Sequence, residues 1–221
     1  MTNMDDLISK DDTYYSGNRQ DMLKFIDIRA NRILEIGCGE GNFATNFTDV
    51  EYWGVEPVTQ HAKSAEKKGF KILNGLYEDV EDKIPNAYFD LIVCNDVIEH
   101  MIDPRLFLKN IRNKLAPLGK MIVSIPNLRN AYTLYNLLIK GDFKYEKAGV
   151  LDYTHLHLFT KKSFINMASE CDWKIEKYAP LPPSPFKPFK NFLLFFVKFF
   201  IPEIKSQQIG FRLTPSDQST S

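Results

Sequence analysis

The feature that most constrains this fold is an apolar run that ends in three alternate glycines. Residues 33–43 read Ile-Leu-Glu-Ile-Gly-Cys-Gly-Glu-Gly-Asn-Phe, with Gly37, Gly39 and Gly41 at the turn. Glycine allows a sharp turn and a close approach of the backbone to a ligand. A buried strand that turns at glycines and enters a helix is typical of α/β folds that bind a nucleoside cofactor. A strand-to-helix turn without a ligand is the alternative.

The spacing of this loop separates two classes of cofactor. A dinucleotide fingerprint needs glycine at position 42, and the chain has Asn42 there. An acid two residues before Gly-x-Gly-x-Gly resembles motif I of the class I S-adenosylmethionine-dependent methyltransferases. The resemblance implies S-adenosyl-L-methionine as the cofactor and a contact with it along the loop. The loop residues concerned are Glu35, Gly37, Cys38, Gly39 and Gly41.

Two rival functions remain open at this point. One is an NAD-dependent oxidoreductase, which Asn42 disfavours. The other is a domain that binds the cofactor without catalysis and serves as a scaffold. Equilibrium binding of S-adenosylmethionine and of NAD distinguishes a methyltransferase from the oxidoreductase. Turnover with an acceptor distinguishes it from the scaffold.

Composition predicts an ordinary globular protein. The chain has 221 residues with 28 basic and 28 acidic side chains, so no large positive field favours binding to nucleic acid. Its three cysteines are odd in number and widely spaced, which argues against a disulfide framework and a structural zinc site. The acidic N-terminus shows no signal peptide, and a cytoplasmic location is expected. We expect one domain over 1–213, acceptor-side insertions at about 127–158 and 180–204, and a disordered tail over 214–221.

Alternating strand and helix patterns predict a parallel sheet covered by helices on both faces. The expected strands are 32–36, 52–55, 70–73, 89–94, 121–125 and 173–178, followed by a closing edge strand at 207–213. A helix that buries Phe107, Ile111 and Leu115 is expected to end near Pro117 and Gly119. The family resemblance implies a Rossmann-like, mostly parallel sheet of seven strands.

Further cofactor contacts are expected where the second and third strands end. Glu56, followed by Pro57, occupies the position from which an acid accepts hydrogen bonds from both ribose hydroxyls. By resemblance, Tyr77 and Glu78 border the adenine. A solvated loop acid is the alternative for Glu78.

A second segment, residues 89–100, closely resembles motif IV of the same methyltransferases. The resemblance places Asn95, Asp96 and Val97 beside the methionine part of the cofactor, and His100 at the start of the loop towards the acceptor. Tyr15 and Arg19 resemble an N-terminal segment that covers the cofactor in related enzymes.

The acceptor side is expected around residues 152–160, Asp-Tyr-Thr-His-Leu-His-Leu-Phe-Thr. This segment is similar to methyltransferases found with sugar and cell-surface polysaccharide genes. His155 is the candidate general base for a hydroxyl acceptor, because its unperturbed pKa lies near physiological pH and Asp152 is close enough to orient it. His157 is the second candidate, since the two histidines point to one face if the segment is extended. Structural histidines in an ordered loop are the alternative.

The resemblance implies methylation of a hydroxyl on a sugar or other small molecule, such as a sugar nucleotide or glycan, although the sequence does not decide between O- and N-methylation. No metal site is expected, because His61, His100, His155 and His157 form no ligand set with the cysteines. Residues 191–201 are almost entirely apolar, and half the length of a membrane span. A packed helix or homodimer contact is favoured for them over a substrate cap or attachment to a membrane surface.

Overall fold

The computed structural model describes residues 18–182 and 202–216. Tyr15, the apolar residues 191–201 and most of the proline-rich connector lie outside the described residues. Within the described ranges, no helix is long and apolar enough to cross a bilayer.

Seven strands form one sheet in the order β3-β2-β1-β4-β5-β7-β6. They are β1 (Arg32–Ile36), β2 (Glu51–Glu56), β3 (Lys71–Asn74), β4 (Phe89–Asn95), β5 (Leu115–Pro126), β6 (Trp173–Pro180) and β7 (Gln208–Pro215). Strands β1 to β5 pair in parallel, whereas β7 runs antiparallel to both β5 and β6. The prediction of a Rossmann-like, mostly parallel sheet of seven strands is confirmed.

Short helices connect the strands. The α-helices are α1 (Thr59–Lys67), α2 (Tyr77–Val80), α3 (Pro104–Ile111), α4 (Ala131–Tyr135) and α5 (Lys161–Glu170), and α4 continues into a π-helical turn, Asn136–Lys140. Thr160 caps the N-terminus of α5, because its hydroxyl accepts from the Ser163 amide in a capping box. Phe164 and Ala168 of α5, and Cys171 just after it, are buried.

The boundary between α3 and β5 differs from the prediction. Helix α3 ends at Ile111, and β5 begins at Leu115, which pairs with Phe89 of β4. Pro117 and Gly119 therefore lie within β5, at an irregularity in its pairing with β4. The apolar spacing of Leu115 suited a helix, but its side chain is buried against the sheet.

The position of strand β7 differs from the prediction of a closing edge strand at 207–213. It lies between β5 and β6, so β6 and not β7 is the edge strand. Its alternate residues Ile209, Phe211 and Leu213 are fully buried. The strand continues to Pro215, so Thr214, which was assigned to a disordered tail, is a buried strand residue.

A 3-10 helix, Gln20–Phe25, packs the N-terminal part of the described chain against β7. Its Met22 and Phe25 side chains are fully buried. They fit because position 210 is a glycine: a Cβ there would lie 2.4 Å from the Phe25 ring. This packing holds the preceding residue, Arg19, beside Asp96 at the end of β4.

Candidate active site

One cavity of about 970 Å³ opens at the carboxyl ends of the parallel strands. It is lined by the last residues of four strands, which are Ile36, Glu56, Asn95 and Pro126. The position agrees with the rule that open α/β sheets bind ligands outside the carboxyl ends of their strands. The sequence-predicted site residues that line it are Arg19, Glu35, Gly37, Cys38, Gly39, Glu56, Pro57, Tyr77, Glu78, Asn95, Asp96, Val97, His100 and His155.

The glycine loop depends on backbone conformations that suit glycine. Gly37 has φ +68°, and a Cβ there would lie 2.7 Å from Val97 Cγ2. Gly39 also has a positive φ of 52°. Gly41 is not among the residues that line the cavity, and a Cβ on it would lie 2.9 Å from the Phe70 ring. Gly41 thus serves the packing of the loop, whereas Gly37 and Gly39 border the cavity.

Glu56 joins this loop to the end of β2. One carboxylate oxygen accepts from the Gly39 amide and the other from the Val58 amide, each at 2.8 Å. The side chain is buried, and burial raises its pKa to about 7. A carboxylate oxygen has a second lone-pair site, so Glu56 retains capacity to accept hydrogen bonds from ribose hydroxyls.

Glu35 is held differently at the same end of the cavity. Its carboxylate accepts from the Tyr52 hydroxyl at 2.8 Å and from the Asn95 amide at 3.4 Å. Burial raises the pKa of Glu35 to about 8, against the opposing effect of these two hydrogen bonds. An acid with this pKa ionises readily when a cationic ligand lies beside it.

Asp96 is the centre of a polar network that joins distant parts of the chain. Its carboxylate accepts hydrogen bonds from the Arg19 guanidinium, from the Ser124 hydroxyl at 2.9 Å and from the Gln208 amide at 2.6 Å. Asp96 also has a positive φ of 56°, which turns the chain at the end of β4. Sequence reasoning did not predict Gln208, because no local motif marks a residue that reaches the site through an antiparallel strand.

The adenine end of the cavity is expected near α2. Tyr77 is almost fully buried and packs edge-to-face on Phe107, with ring centroids 4.9 Å apart. Leu76 is 41% exposed and lines the cavity with Pro57 and Glu78. Tyr77 therefore supports the hydrophobic core as well as one wall of the cavity.

The opposite end contains three titratable side chains, Glu99, His100 and His155, which we call the acceptor cluster. His155 Nε2 lies 3.9 Å from Glu99 Oε1, and the two imidazole rings meet edge-to-face with centroids 4.8 Å apart. Glu99 is completely buried and His155 is buried. Sequence reasoning did not connect Glu99 with His155, because the two residues belong to different loops.

Two catalytic candidates, Asp152 and His157, are not among the residues that line the cavity. An Asp152 oxygen accepts from the backbone and hydroxyl of Thr154, which makes a tight turn. His157 packs on the Phe159 ring and is not among the lining residues. The segment is not extended there, because the His155 amide donates to the Asp152 carbonyl and the amides of Leu156 and His157 both donate to the Glu99 carbonyl.

Comparison with known proteins gives a family and a fold. A family model described as a methyltransferase domain matches residues 8–178. A ubiquinone biosynthesis O-methyltransferase from Rickettsia canadensis is 33% identical over 118 residues, which cover 49% of this chain and 48% of that protein. The corresponding enzyme from Rickettsia felis is 28% identical over 170 residues, or 72% of this chain and 67% of that protein. The chain thus spans about half the length of the first of these relatives.

Solved structures share the architecture at low sequence identity. A methyltransferase from Thermotoga maritima, described as S-adenosylmethionine-dependent and a possible histamine N-methyltransferase, superposes with a TM-score of 0.62 at 20% identity, over 91% of this chain and 88% of that one. A methyltransferase from Archaeoglobus fulgidus gives 0.60 at 20% identity, over 91% and 92%. These similarities support the fold.

Proposed function

This chain belongs to the methyltransferase-domain family, and we propose that it transfers a methyl group from S-adenosylmethionine to a hydroxyl oxygen of a small acceptor. The observation that carries the proposal is a single cavity that joins the glycine loop to the acceptor cluster. Its volume of about 970 Å³ lies near the upper end of the range for small-molecule sites, roughly 300–1,000 Å³. The cavity therefore suits a cofactor and an acceptor side by side.

The cofactor end suits a positively charged nucleoside. Glu35, Glu56 and Asp96 are acids that line this part of the cavity. A sulfonium and an ammonium group favour the ionised form of a neighbouring carboxyl group. S-adenosylmethionine carries both cations, and the titles of the similar structures name the same cofactor.

The acceptor end favours a flat, weakly polar molecule that carries a hydroxyl group. Its wall includes Met101, Ile102, Pro126 and Val150, and Ile102 is 72% exposed. Relatives of the chain are O-methyltransferases of ubiquinone biosynthesis, which supports oxygen over nitrogen as the acceptor atom. The sugar or polysaccharide acceptor expected from the sequence gains no support from these relatives, and an apolar wall suits it less well.

The reaction itself needs little covalent chemistry from the protein. The acceptor oxygen forms a bond to the methyl carbon as the carbon–sulfur bond breaks, and the electron pair of that bond stays on sulfur as a neutral thioether. The hydroxyl proton must leave, and the acceptor cluster lies at the end of the cavity where it is released. Positioning two substrates in line supplies much of the rate, on the order of 7–11 kcal/mol of the barrier.

A direct test measures binding and turnover separately. We expect S-adenosylhomocysteine to bind the purified chain by calorimetry and NAD not to bind. Glu56→Ala should weaken that binding about 10- to 100-fold, since hydrogen bonds to a charged group contribute about 1.5–3 kcal/mol. Glu66→Ala, on the exposed side of α1, is the matched control.

Methyl transfer is then followed with labelled S-adenosylmethionine and a panel of phenols and sugar alcohols. Transfer to a phenolic oxygen supports the proposal. Binding of the cofactor with no transfer to any hydroxyl in the panel would favour a non-catalytic, cofactor-binding role, and transfer to sugars alone would reject the apolar acceptor.

A further inference from the structure

We propose that the acceptor cluster, Glu99, His100 and His155, binds one divalent transition-metal cation that holds the acceptor hydroxyl. The catalytic role of the cation rests on the proposed function, but its binding does not. No metal site is expected from the sequence alone, because the histidines form no ligand set with the cysteines and Glu99 lies in a segment distant from His155. The structure brings a carboxylate and two imidazoles from separate loops to one end of the cavity.

The spacing of the three side chains suits one ion. Each offers one ligand atom, and these atoms all lie within 4.8 Å of one another. Bonds to nitrogen and oxygen of about 2.0–2.2 Å place the ligand atoms of a common ion roughly 3–4 Å apart. His155 Nε2 and Glu99 Oε1 already meet this condition at 3.9 Å. The other two pairs of ligand atoms lie within 4.8 Å, at most slightly beyond this range.

Both imidazoles are oriented by backbone carbonyls. His100 Nδ1 lies 3.0 Å from the Thr154 carbonyl oxygen, and His155 Nδ1 lies 3.1 Å from the Val150 carbonyl oxygen. A carbonyl oxygen only accepts, so each Nδ1 carries a proton, and in the neutral form of each ring the lone pair is on Nε2. Metal-binding histidines characteristically donate their other ring N–H in this way, which fixes the tautomer and the ring orientation.

The two loops that carry the cluster are tied together. The Glu99 carbonyl accepts from the amides of Leu156 and His157, at 2.9 and 3.0 Å. Thr154, whose carbonyl orients His100, is itself held in the turn by Asp152. Asp152 thus acts on the cluster through Thr154 and His100. Preorganisation of this kind lowers the cost of bringing three ligands to one point.

The charge of the cluster also suits a cation. Glu99 is completely buried, and a cation beside a buried carboxylate offsets part of the cost of taking its charge out of water. One carboxylate with two neutral imidazoles leaves a divalent ion a net charge of +1. Two nitrogen donors and one oxygen donor are suited to Zn²⁺, Co²⁺, Fe²⁺ or Mn²⁺ rather than to Ca²⁺.

Three protein ligands leave coordination positions for the acceptor. The cluster lines the cavity, so an acceptor oxygen reaches the ion from the cavity side. A hydroxyl bound to a divalent cation loses its proton to water at lower pH than a free hydroxyl does. The oxygen then attacks the methyl carbon with its charge balanced by the cation, and the cofactor sulfur leaves with its electron pair.

The test begins with binding by the full chain stripped with EDTA. We expect Zn²⁺ and Co²⁺ to bind one per chain by calorimetry, and Co²⁺ to give visible absorption bands of nitrogen and oxygen ligation. Glu99→Gln and His100→Ala should each weaken Zn²⁺ binding more than 10-fold, at least as much as loss of a residue that only orients a ligand. His157→Ala, a histidine next to the cluster, should keep the wild-type affinity.

Separate control measurements distinguish a folding defect from a loss of metal binding or of methyl transfer. S-adenosylhomocysteine binding and thermal unfolding show whether a variant is folded, and His100→Ala serves if the buried Glu99 variant is not. Absence of stoichiometric Zn²⁺, Co²⁺ or Mn²⁺ binding to folded wild-type protein would overturn the proposal, with Glu99 and His155 then acting as an ion pair. Full methyl transfer by stripped protein in EDTA would also overturn it while upholding the proposed function. Metal binding without any transfer to a hydroxyl would uphold the site and reject that function.

Discussion

At the residue scale, two buried glutamates at the cofactor end differ in their hydrogen-bond partners and in their pKa. Glu56 accepts two backbone amides, and its pKa rises to about 7. Glu35 has a tyrosine hydroxyl and a more distant amide, and its pKa rises to about 8. In both cases burial raises the pKa, so a cationic cofactor that binds beside these acids favours release of their protons.

Glu35 links the stability of the ligand-free protein to pH. Because burial raises the pKa of Glu35 from 4.5 to about 8, the native state binds more protons than the unfolded state between these values. Its free energy of unfolding therefore falls as pH rises through this window. Glu35→Gln should show a shallower fall in thermal midpoint from pH 5 to pH 8.5, measured by calorimetric scans.

Glu66→Gln provides the comparison, since this helix residue is exposed. It should follow the wild-type pH profile. A Glu35→Gln profile as steep as that of the wild type would contradict the assignment of the buried proton to Glu35.

His155 tests the acceptor end separately from the cofactor end. His155→Ala should lower turnover about 100-fold, because the proposed cation that helps the hydroxyl proton leave loses a ligand, with little change in affinity for S-adenosylhomocysteine. Single-turnover transfer and calorimetry measure the two quantities. His157→Ala should have a smaller effect, because its ring lies off the cavity. Equal turnover in wild type and His155→Ala would assign His155 a structural role.

At the scale of elements, local patterns predicted most strands, and contacts between strands decided the rest. The prediction of β1 as residues 32–36 is confirmed to the residue, because its apolar run and glycine loop are local signals. The position of β7 between β5 and β6 depends on which strand offers an open edge, which no single segment encodes. The same limit applies to the site: the glycine loop was visible in one window, whereas Glu99 and His155 meet only after the loops fold.

The contact between the 3-10 helix Gln20–Phe25 and β7 gives a prediction for this pair of elements. Gly210→Ala places a methyl group against the Phe25 ring, where a Cβ has only 2.4 Å, and overpacking of this kind costs about 1–3 kcal/mol. We expect a lower free energy of unfolding in urea. Weaker S-adenosylhomocysteine binding should accompany it, because the helix holds the preceding residue, Arg19, beside Asp96.

A double-mutant cycle with Phe25→Leu provides the control. The smaller side chain should relieve part of the Gly210→Ala cost, so the two changes should be less than additive. Strict additivity would place the strain elsewhere.

At the scale of the whole molecule, the sequence predicts that residues 191–201 pack within the protomer or against a second copy of the chain. Residues 191–201 lie outside the described residues, and their almost wholly apolar composition predicts a covered surface. Phe195→Asp with Phe199→Asp should change the solution mass, measured by sedimentation, or cause aggregation. An unchanged mass with normal thermal stability and loss of liposome binding would favour membrane attachment over a homodimer.

The central place of β7 has a consequence for how this protein comes into being. Gln208 lines the cavity and donates to Asp96, and the fully buried β7 side chains complete the core between β5 and β6. A ribosome that has made every nucleoside-binding motif from Gly37 to Asp96 has not yet made the strand that closes the sheet. The site in the nascent chain is therefore incomplete until residues 208–215 have been synthesised. Until then the exposed edges of β5 and β6 are surfaces for chaperones to protect.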